Sequence, residues 1–465
     1  MKPLPESLAG RRVLVMGLGQ FGGGLGVTRW LAGQGARVLL TDRDDGGKLA
    51  KPLAQLQPLV DSGAVELRLG RHEERDFAEA DLVVANPAVP MPWQDRYLLA
   101  AKEAGTPVTC EIRLAIDRID RARTVGVTGS AGKSSTASMI HLLLDDQGRR
   151  AHLGGNIGGS LLLSPPAPGD WAVLELSSAM LWWLGEEGAA LAGQRRWSPR
   201  IAVLTNLAPN HVDWHGSLRH YGASKARIRH AQLRTDQFLT LFPQEQPEAA
   251  ERMRAECGVW WDRDMPTGPH LPPPEHLEQL LRAIDMPEVP GEHQRRNARL
   301  AVLAAEAALR SVGERPDRAR MLERLKDFRA LPHRMQFVGE RRGIRCFNDS
   351  KSTTPDATLL ALACFPDPSR VHLIAGGYDK QVDLGAIRDL APKLAGLYAI
   401  GATARQLAPA PPAEECGTLE AAVERAAARA RPGDVLLLSP ACASYGQFIN
   451  YEQRGETFAA LVRNL

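Results

Sequence analysis

At 465 residues the chain is longer than one hydrophobic core usually supports, so two or three domains are expected. A hydrophobic content of 44% and a charged content of 24% are those of an ordinary globular protein, and a net charge of +3 is too small for a nucleic-acid or membrane-binding surface. The six cysteines, at 110, 257, 346, 364, 416 and 442, form no CxxC pair, which argues against a disulfide framework or a cysteine zinc site and fits a reducing cytoplasm. The opening MKPLPESLAGRR has no apolar core and is not expected to be a signal peptide, and no stretch is long and apolar enough to span a membrane.

The first predicted element is a strand within RRVLVMGLGQFGGGLG (11–26), followed by a glycine loop, a helix over VTRWLAGQ and a second strand, ARVLLTD, ending at Asp42. This is a Rossmann-style βαβ unit whose loop suits a dinucleotide or another nucleotide diphosphate. A further strand in DLVVANPAVP (81–90) ends at a proline-marked turn, and TPVTCEIRLAIDRID leads into the next unit.

That unit opens with a strand over 123–127 and the loop GVTGSAGKSS (126–135), and the helix pattern TASMIHLLL follows at once. Strand, glycine loop and helix form the setting of a phosphate loop. Gly126, Gly129 and Gly132 let N–H groups crowd around phosphate oxygens, although Val127 stands where the usual pattern has a glycine. Lys133 brings a point charge, Ser134 a hydroxyl for Mg²⁺, and Ser135 continues the loop into the helix. Strands over WAVLELSS (171–178) and RIAVLTNL (200–207) follow, with polar residues at their C-terminal ends, where open α/β sheets gather ligands. Glu175, near the end of the first, is costly to bury unless paired or metal-bound, and beside a phosphate loop it reads as a Mg²⁺ ligand. His211, Asp213 and His215 have the spacing of a zinc site, but the carboxylate and phosphate setting favours Mg²⁺ chemistry. Lys225 lies on the next helix, and solvent exposure is the commonest fate of a lysine. The segment around 262–290 reads as a proline-rich surface loop, and 291–310 as an alanine-rich helix.

From about 331, strand-like runs GIRCFNDS, SRVHLIAGG, LAGLYAIG and GDVLLLSP alternate with helix patterns and suggest a third, mostly parallel sheet. Arg334, Lys351 and Lys380 form a basic set at the strand ends, able to meet phosphate or carboxylate. Cys442 has no identifiable basic partner and reads as buried packing. The expected fold class is α/β with three domains in series: a Rossmann-like domain over 1–120, a central phosphate-loop ATPase-like domain over 121–331 and a C-terminal Rossmann-like domain over 332–465.

Several stretches resemble the Mur ligase family, and the likeness covers nearly the whole chain. NDSK (348–351), AGGYDK (375–380) and SPACASYGQFINYEQRG (439–455) are the most specific, supported by GVTGSAGKSS, GGNIG (154–158), LELSS and NHVDWHG. The resemblance implies an ATP- and Mg²⁺-dependent ligase that adds D-glutamate to UDP-N-acetylmuramoyl-L-alanine through an acyl phosphate, in the cytoplasm, as a monomer, with neither nucleic acid nor membrane as partner. It implies that Gly129, Gly132, Lys133, Ser134 and Ser135 grip the ATP phosphates and one of two Mg²⁺ ions. Glu175 and His211 match metal ligands, and Lys225 matches a lysine that CO₂ carbamylates into a metal-bridging carboxylate. Gly17, Gly19 and Asp42 fall in the region holding the uridine diphosphate, and Asn156 near the γ-phosphate and substrate. His293 and Asn297 match the adenine and ribose side, and Arg334 and Asp349 nucleotide contacts. Lys351, Thr353, Lys380, Ser444 and Tyr451 match positions near the glutamate pocket. Because these residues lie in three separate segments, domains are expected to approach one another to assemble the site.

The sequence departs from the family pattern at Ala131, Asn210, NPAVP (86–90) and Gln294, and the run GGG at 22–24 suggests a looser first loop. None of these removes a charged catalytic group. Alternatives are a ligase for L-glutamate on the same acceptor, a folate-type polyglutamate ligase, and a non-enzymatic nucleotide-gated binding module. The first domain's own glycine loop and SPACASYGQF argue against the folate type, and a binding module has no need of Glu175, His211 and Lys225 together.

Overall fold

A computed structural model describes residues 5–19, 23–258, 274–286 and 288–465. Most of the proline-rich stretch beginning at 262, together with Gln20, Phe21 and Gly22 of the first glycine loop, lies outside the described residues. The chain forms two compact units, 1–280 with 297–321, and 281–296 with 322–465.

The first unit contains two parallel sheets. One is built from β1 (Arg12–Met16), β2 (Arg37–Asp42), β3 (Val65–Leu69), β4 (Leu82–Ala85) and β5 (Val108–Cys110), in the order β3-β2-β1-β4-β5. The order reverses between β1 and β4, and at that switch point the two chain ends part and leave a crevice. The other comprises β6 (Thr124–Thr128), β7 (Ala151–Gly155), β8 (Trp171–Glu175), β9 (Ile201–Leu204) and β10 (Gln237–Thr240), in the order β10-β9-β6-β8-β7. All of β6, β8 and β9 is buried, because a parallel sheet has helices on both faces and its central strands must be apolar throughout.

The second unit holds a six-stranded sheet of β11 (Gln336–Arg341), β12 (Ile344–Asn348), β13 (Val371–Gly377), β14 (Gly396–Gly401), β15 (Ala413–Gly417) and β16 (Val435–Leu438). Its order is β11-β12-β16-β13-β14-β15, parallel except for the β11–β12 hairpin, so the mostly parallel expectation holds.

Two expectations change. Residues within the expected surface loop form the helix Pro274–Ala283. Leu277, Leu280 and Ile284 are buried at three- and four-residue spacing, and that apolar stripe outweighs the prolines, which are tolerated in a first helical turn. The run GGG at 22–24 is helix rather than loop where it is described. Gly23 and Gly24 already belong to the helix Gly23–Gly33, and a Cβ on Gly24 would lie 2.3 Å from the Gly17 carbonyl oxygen.

Candidate active site

The phosphate loop joins the buried end of β6 to the helix Lys133–Asp146. Its shape requires glycine at two positions. Gly129 has φ of +152°, and a Cβ there would fall 1.9 Å from Thr205 Oγ1. Gly132 caps the helix in the left-handed region, φ +79°, with Asn297 Oδ1 2.5 Å from where a Cβ would stand. Asn297 therefore lies directly against the loop. Asn206 braces the loop through its carbonyl, which accepts from Ser130 N (3.1 Å), and its side-chain oxygen, which accepts from Ala131 N (2.9 Å). Ala131, which departs from the family pattern, takes part here through its backbone, its carbonyl accepting from Thr205 Oγ1 at 2.6 Å. The first turn of the following helix turns its unpaired N–H groups and positive dipole end toward any anion at the loop.

Beside the loop, Glu175 at the end of β8 is 1% exposed. Its carboxylate accepts from Ser134 Oγ at 2.6 Å and from Asn156 Nδ2 at 2.9 Å, and its carbonyl from Asn156 N at 2.9 Å. Lys133 Nζ donates to Ser130 O at 3.1 Å, and half-buried Ser135 stands in the same helical turn. Lys225 is not on the surface but 1% exposed, with Nζ donating to Gly129 O at 2.8 Å and lying 5.0 Å from the Tyr221 ring centre. Burial drives its pKa well below the ordinary lysine value, the Lys133 charge adds to this, and Glu175 opposes it. His211 caps a short helix, Val212–His215, in the left-handed region, φ +51°. Desolvation first, then the charges of Lys225 and Lys133, lower its pKa and keep the ring a neutral donor.

His215 does not join His211 in a ligand set. It is buried, with Nε2 2.9 Å from Ser178 Oγ and Nδ1 2.9 Å from His220 Nδ1. Desolvation, then the neighbouring histidines, push its pKa down to about 3. Among the described residues no group of three His, Cys, Asp or Glu side chains has metal-site geometry, so the zinc reading is not supported. The donors present, the Ser134 hydroxyl and the Glu175 carboxylate, fit Mg²⁺, which takes one or two protein oxygens and completes its shell with phosphate and water.

A cavity of about 640 Å³ runs from the first glycine loop to this cluster, lined by Gly17, Gly19 and Asp42 at one end and by Asn156, Ser178 and His211 at the other. Its volume is that of a small-molecule site. No lysine or arginine lines it among the described residues. The Asp42 carboxylate fixes the loop: Oδ2 accepts from Leu18 N at 2.8 Å and Gly19 N at 3.2 Å. Asn86, within the NPAVP departure, packs on Gly17, and its Oδ1 accepts from Ala88 N at 2.9 Å. Its side chain thus shapes the turn. Trp214 Nε1 donates to Pro87 O at 3.0 Å, tying the two sheets of this unit together. Sequence reasoning gave no role to Asn86, Thr205, Asn206 or Tyr221, because each touches the loops through contacts distant in sequence.

In the second unit Asp349 is 5% exposed, with one oxygen accepting from Met335 N (3.1 Å) and the other from Ser439 Oγ (2.8 Å). Desolvation raises its pKa to about 6. Arg334 is half-buried in the preceding turn. Lys351 Nζ lies 5.0 Å from the Tyr451 ring centre, Thr353 is half-buried, Lys380 is exposed and Ser444 is buried. His293 lies against Cys364 Sγ, 3.8 Å from Nδ1, in this unit, whereas Asn297 of the same helix belongs to the first. Cys442 is buried, as expected of a packing residue, and burial raises its thiol pKa.

Comparison with known proteins matches three successive segments of the chain. The N-terminal domain of the MurD-like Mur ligases matches residues 11–110, the Mur ligase middle domain 127–257 and the Mur ligase glutamate ligase domain 333–442. The UDP-N-acetylmuramoylalanine–D-glutamate ligase of Acidobacterium capsulatum is 35% identical over 98% of this chain and 96% of its own length. That of Anaeromyxobacter dehalogenans is 37% identical over 98% of each. Among solved structures, the UDP-N-acetylmuramate-alanine ligase MurC of Thermotoga maritima shares the fold with a TM-score of 0.56 at 17% identity, covering 98% of this chain and 99% of that one. The chain belongs to the Mur ligase family, with a first domain of the MurD-like type.

Proposed function

We propose that this protein is an ATP-dependent ligase that joins D-glutamate to UDP-N-acetylmuramoyl-L-alanine, a step of peptidoglycan precursor synthesis in the cytoplasm. The observation that carries this reading is the Glu175 carboxylate, which holds Ser134 of the phosphate loop on one oxygen and Asn156 of the cavity wall on the other. A triphosphate gripped at the loop and an acid lying in the cavity would meet at that carboxylate.

In this reading the domains are 1–120 for the UDP-sugar, 121–331 for ATP and 332–465 for the amino acid. The cavity seats the UDP-sugar, with Gly17 and Gly19 presented by Asp42 and the alanine carboxylate directed toward Asn156. Lys133, Gly129, Gly132 and Ser135 hold the phosphates, and Asn297, with Arg334 and Asp349, the nucleoside end. Ser134, Glu175 and His211 would hold up to two Mg²⁺ ions, which offset charge on the transferring phosphoryl group. The alanine carboxylate attacks the γ-phosphorus and ADP leaves, with Lys133 neutralising the developing charge. The glutamate amine, held among Lys351, Thr353, Lys380, Ser444 and Tyr451, then attacks the acyl carbon and expels phosphate, since a free carboxylate is a poor acyl donor in water. A neutral Lys225 amine can add to CO₂ and lose a proton, giving a carbamate; its burial and lowered pKa support this.

The test is phosphate release from ATP with UDP-N-acetylmuramoyl-L-alanine, other UDP-muramoyl acceptors and a folate acceptor, each with D- and L-glutamate. Release is expected only with the first acceptor and D-glutamate. Release with L-glutamate or the folate acceptor instead would replace this reading, and no release with any pair would remove it.

A further inference from the structure

The helix Tyr451–Arg463 carries at its fourth position a side chain that none of these roles uses. Arg454 is 0% exposed. Its guanidinium donates to Ser350 Oγ (3.0 Å), to Ser350 O (2.8 Å) and to Cys442 O (3.1 Å), all neutral acceptors. No carboxylate among the described residues forms an ion pair with it. Burial lowers its pKa to about 10, which still leaves it charged at neutral pH. A buried cation without a counter-ion is costly, and its position in the fold has to account for its presence.

That position is behind the loops that end β12, β13 and β16. Ser350 immediately precedes Lys351. Cys442 lies two residues before Ser444. Gly377, where a Cβ would come 3.2 Å from Nη1, lies three residues before Lys380. Tyr451 is one helical turn before Arg454 itself, and its carbonyl accepts from Ser350 Oγ at 2.8 Å. Lys351, Thr353 and Ser444 are therefore within three residues of an acceptor of this guanidinium, and Lys380 and Tyr451 lie three residues from Gly377 and from Arg454 itself, respectively. Its planar fork spans two loops at once, which an ammonium cannot do. Its charge, removed from water, acts through a low-dielectric wall on whatever lies beyond the loops.

We propose that Arg454 is the positioning residue of the amino-acid pocket, holding its loops in register and supplying from behind them the unbalanced positive charge that selects an amino acid with two carboxylates. This rests on the function proposed above. The test is steady-state kinetics of the full chain with Arg454→Gln and Arg454→Lys, varying each substrate in turn, with hydroxylamine trapping of the acyl phosphate formed without glutamate. Arg454→Gln should raise the KM for D-glutamate about tenfold or more, and Arg454→Lys about threefold. The KM values for ATP and the UDP-sugar should stay unchanged, and trapping should persist. Preference for glutamate over glutamine should narrow in Arg454→Gln and be kept in Arg454→Lys. Equal effects of the two variants, a parallel rise in all three KM values, or a loss of active enzyme with KM unmoved would overturn the proposal. If Arg454→Gln does not fold, Arg454→Lys decides by the same KM comparison, and its failure to fold as well would mark a purely structural residue. A wild-type protein that releases no phosphate with glutamate would instead remove the underlying function.

Discussion

The first unit contains two glycine loops, each leading from a central parallel strand into a helix, and they are built for different work. The loop after β1 has its Leu18 and Gly19 N–H groups already bonded to Asp42, and no basic side chain lines the adjoining cavity among the described residues. The loop after β6 has Lys133 at its end, a buried amine at Lys225 and a carboxylate 2.6 Å from Ser134. A glycine-rich turn by itself therefore reports only a close backbone approach. The charges around it decide whether the loop seats a ligand by shape or stabilises charge that develops during a reaction.

That contrast yields predictions of decreasing size. Lys133→Ala should lower kcat about 10³-fold or more, with an unchanged thermal unfolding profile, because the charge it neutralises peaks in the transition state. Normal turnover by this variant would place both loops in the same class. Lys225→Ala should lose about 10²-fold or more of activity and regain part of it with added formate or acetate, small carboxylates that can occupy the space of a carbamate. Activity that is retained, or lost without rescue, would remove the carbamate. Asp42→Asn should raise the KM for the UDP-sugar about tenfold while leaving kcat and the KM for ATP nearly unchanged, because it loosens a loop that binds but does not react. A fall in kcat with KM unchanged would show that the first loop takes part in chemistry after all.

The strands that were legible in the sequence are the buried ones. Central strands such as β1, β6, β8, β13 and β16 are mostly apolar and almost wholly buried, since both faces are covered. Edge strands β3, β11 and β15, reading VELRL, QFVGER and AEECG, carry charge because one side meets water, and β7 is masked by glycines. The site divides in the same way. Lys133, Ser134 and Glu175 lie in short motifs whose residue types suggest their chemistry, whereas Asn156 and Lys225 are picked out only by the family resemblance. Arg454, Asn86 and Thr205 matter largely through partners distant in sequence, Ser350, Gly17 and Ala131 respectively. The burial of Lys225 was equally invisible, because a lysine's surroundings are fixed by tertiary packing.

The crowding at Gly129 has a practical corollary. Any side chain there would collide with Thr205 and pry apart the ends of β6 and β9. A small molecule that leans on the main chain of this loop would thus press on a surface that point mutation cannot remodel without dismantling the sheet behind it. Resistance would have to arise elsewhere, by efflux, overproduction or changes at the pocket rim.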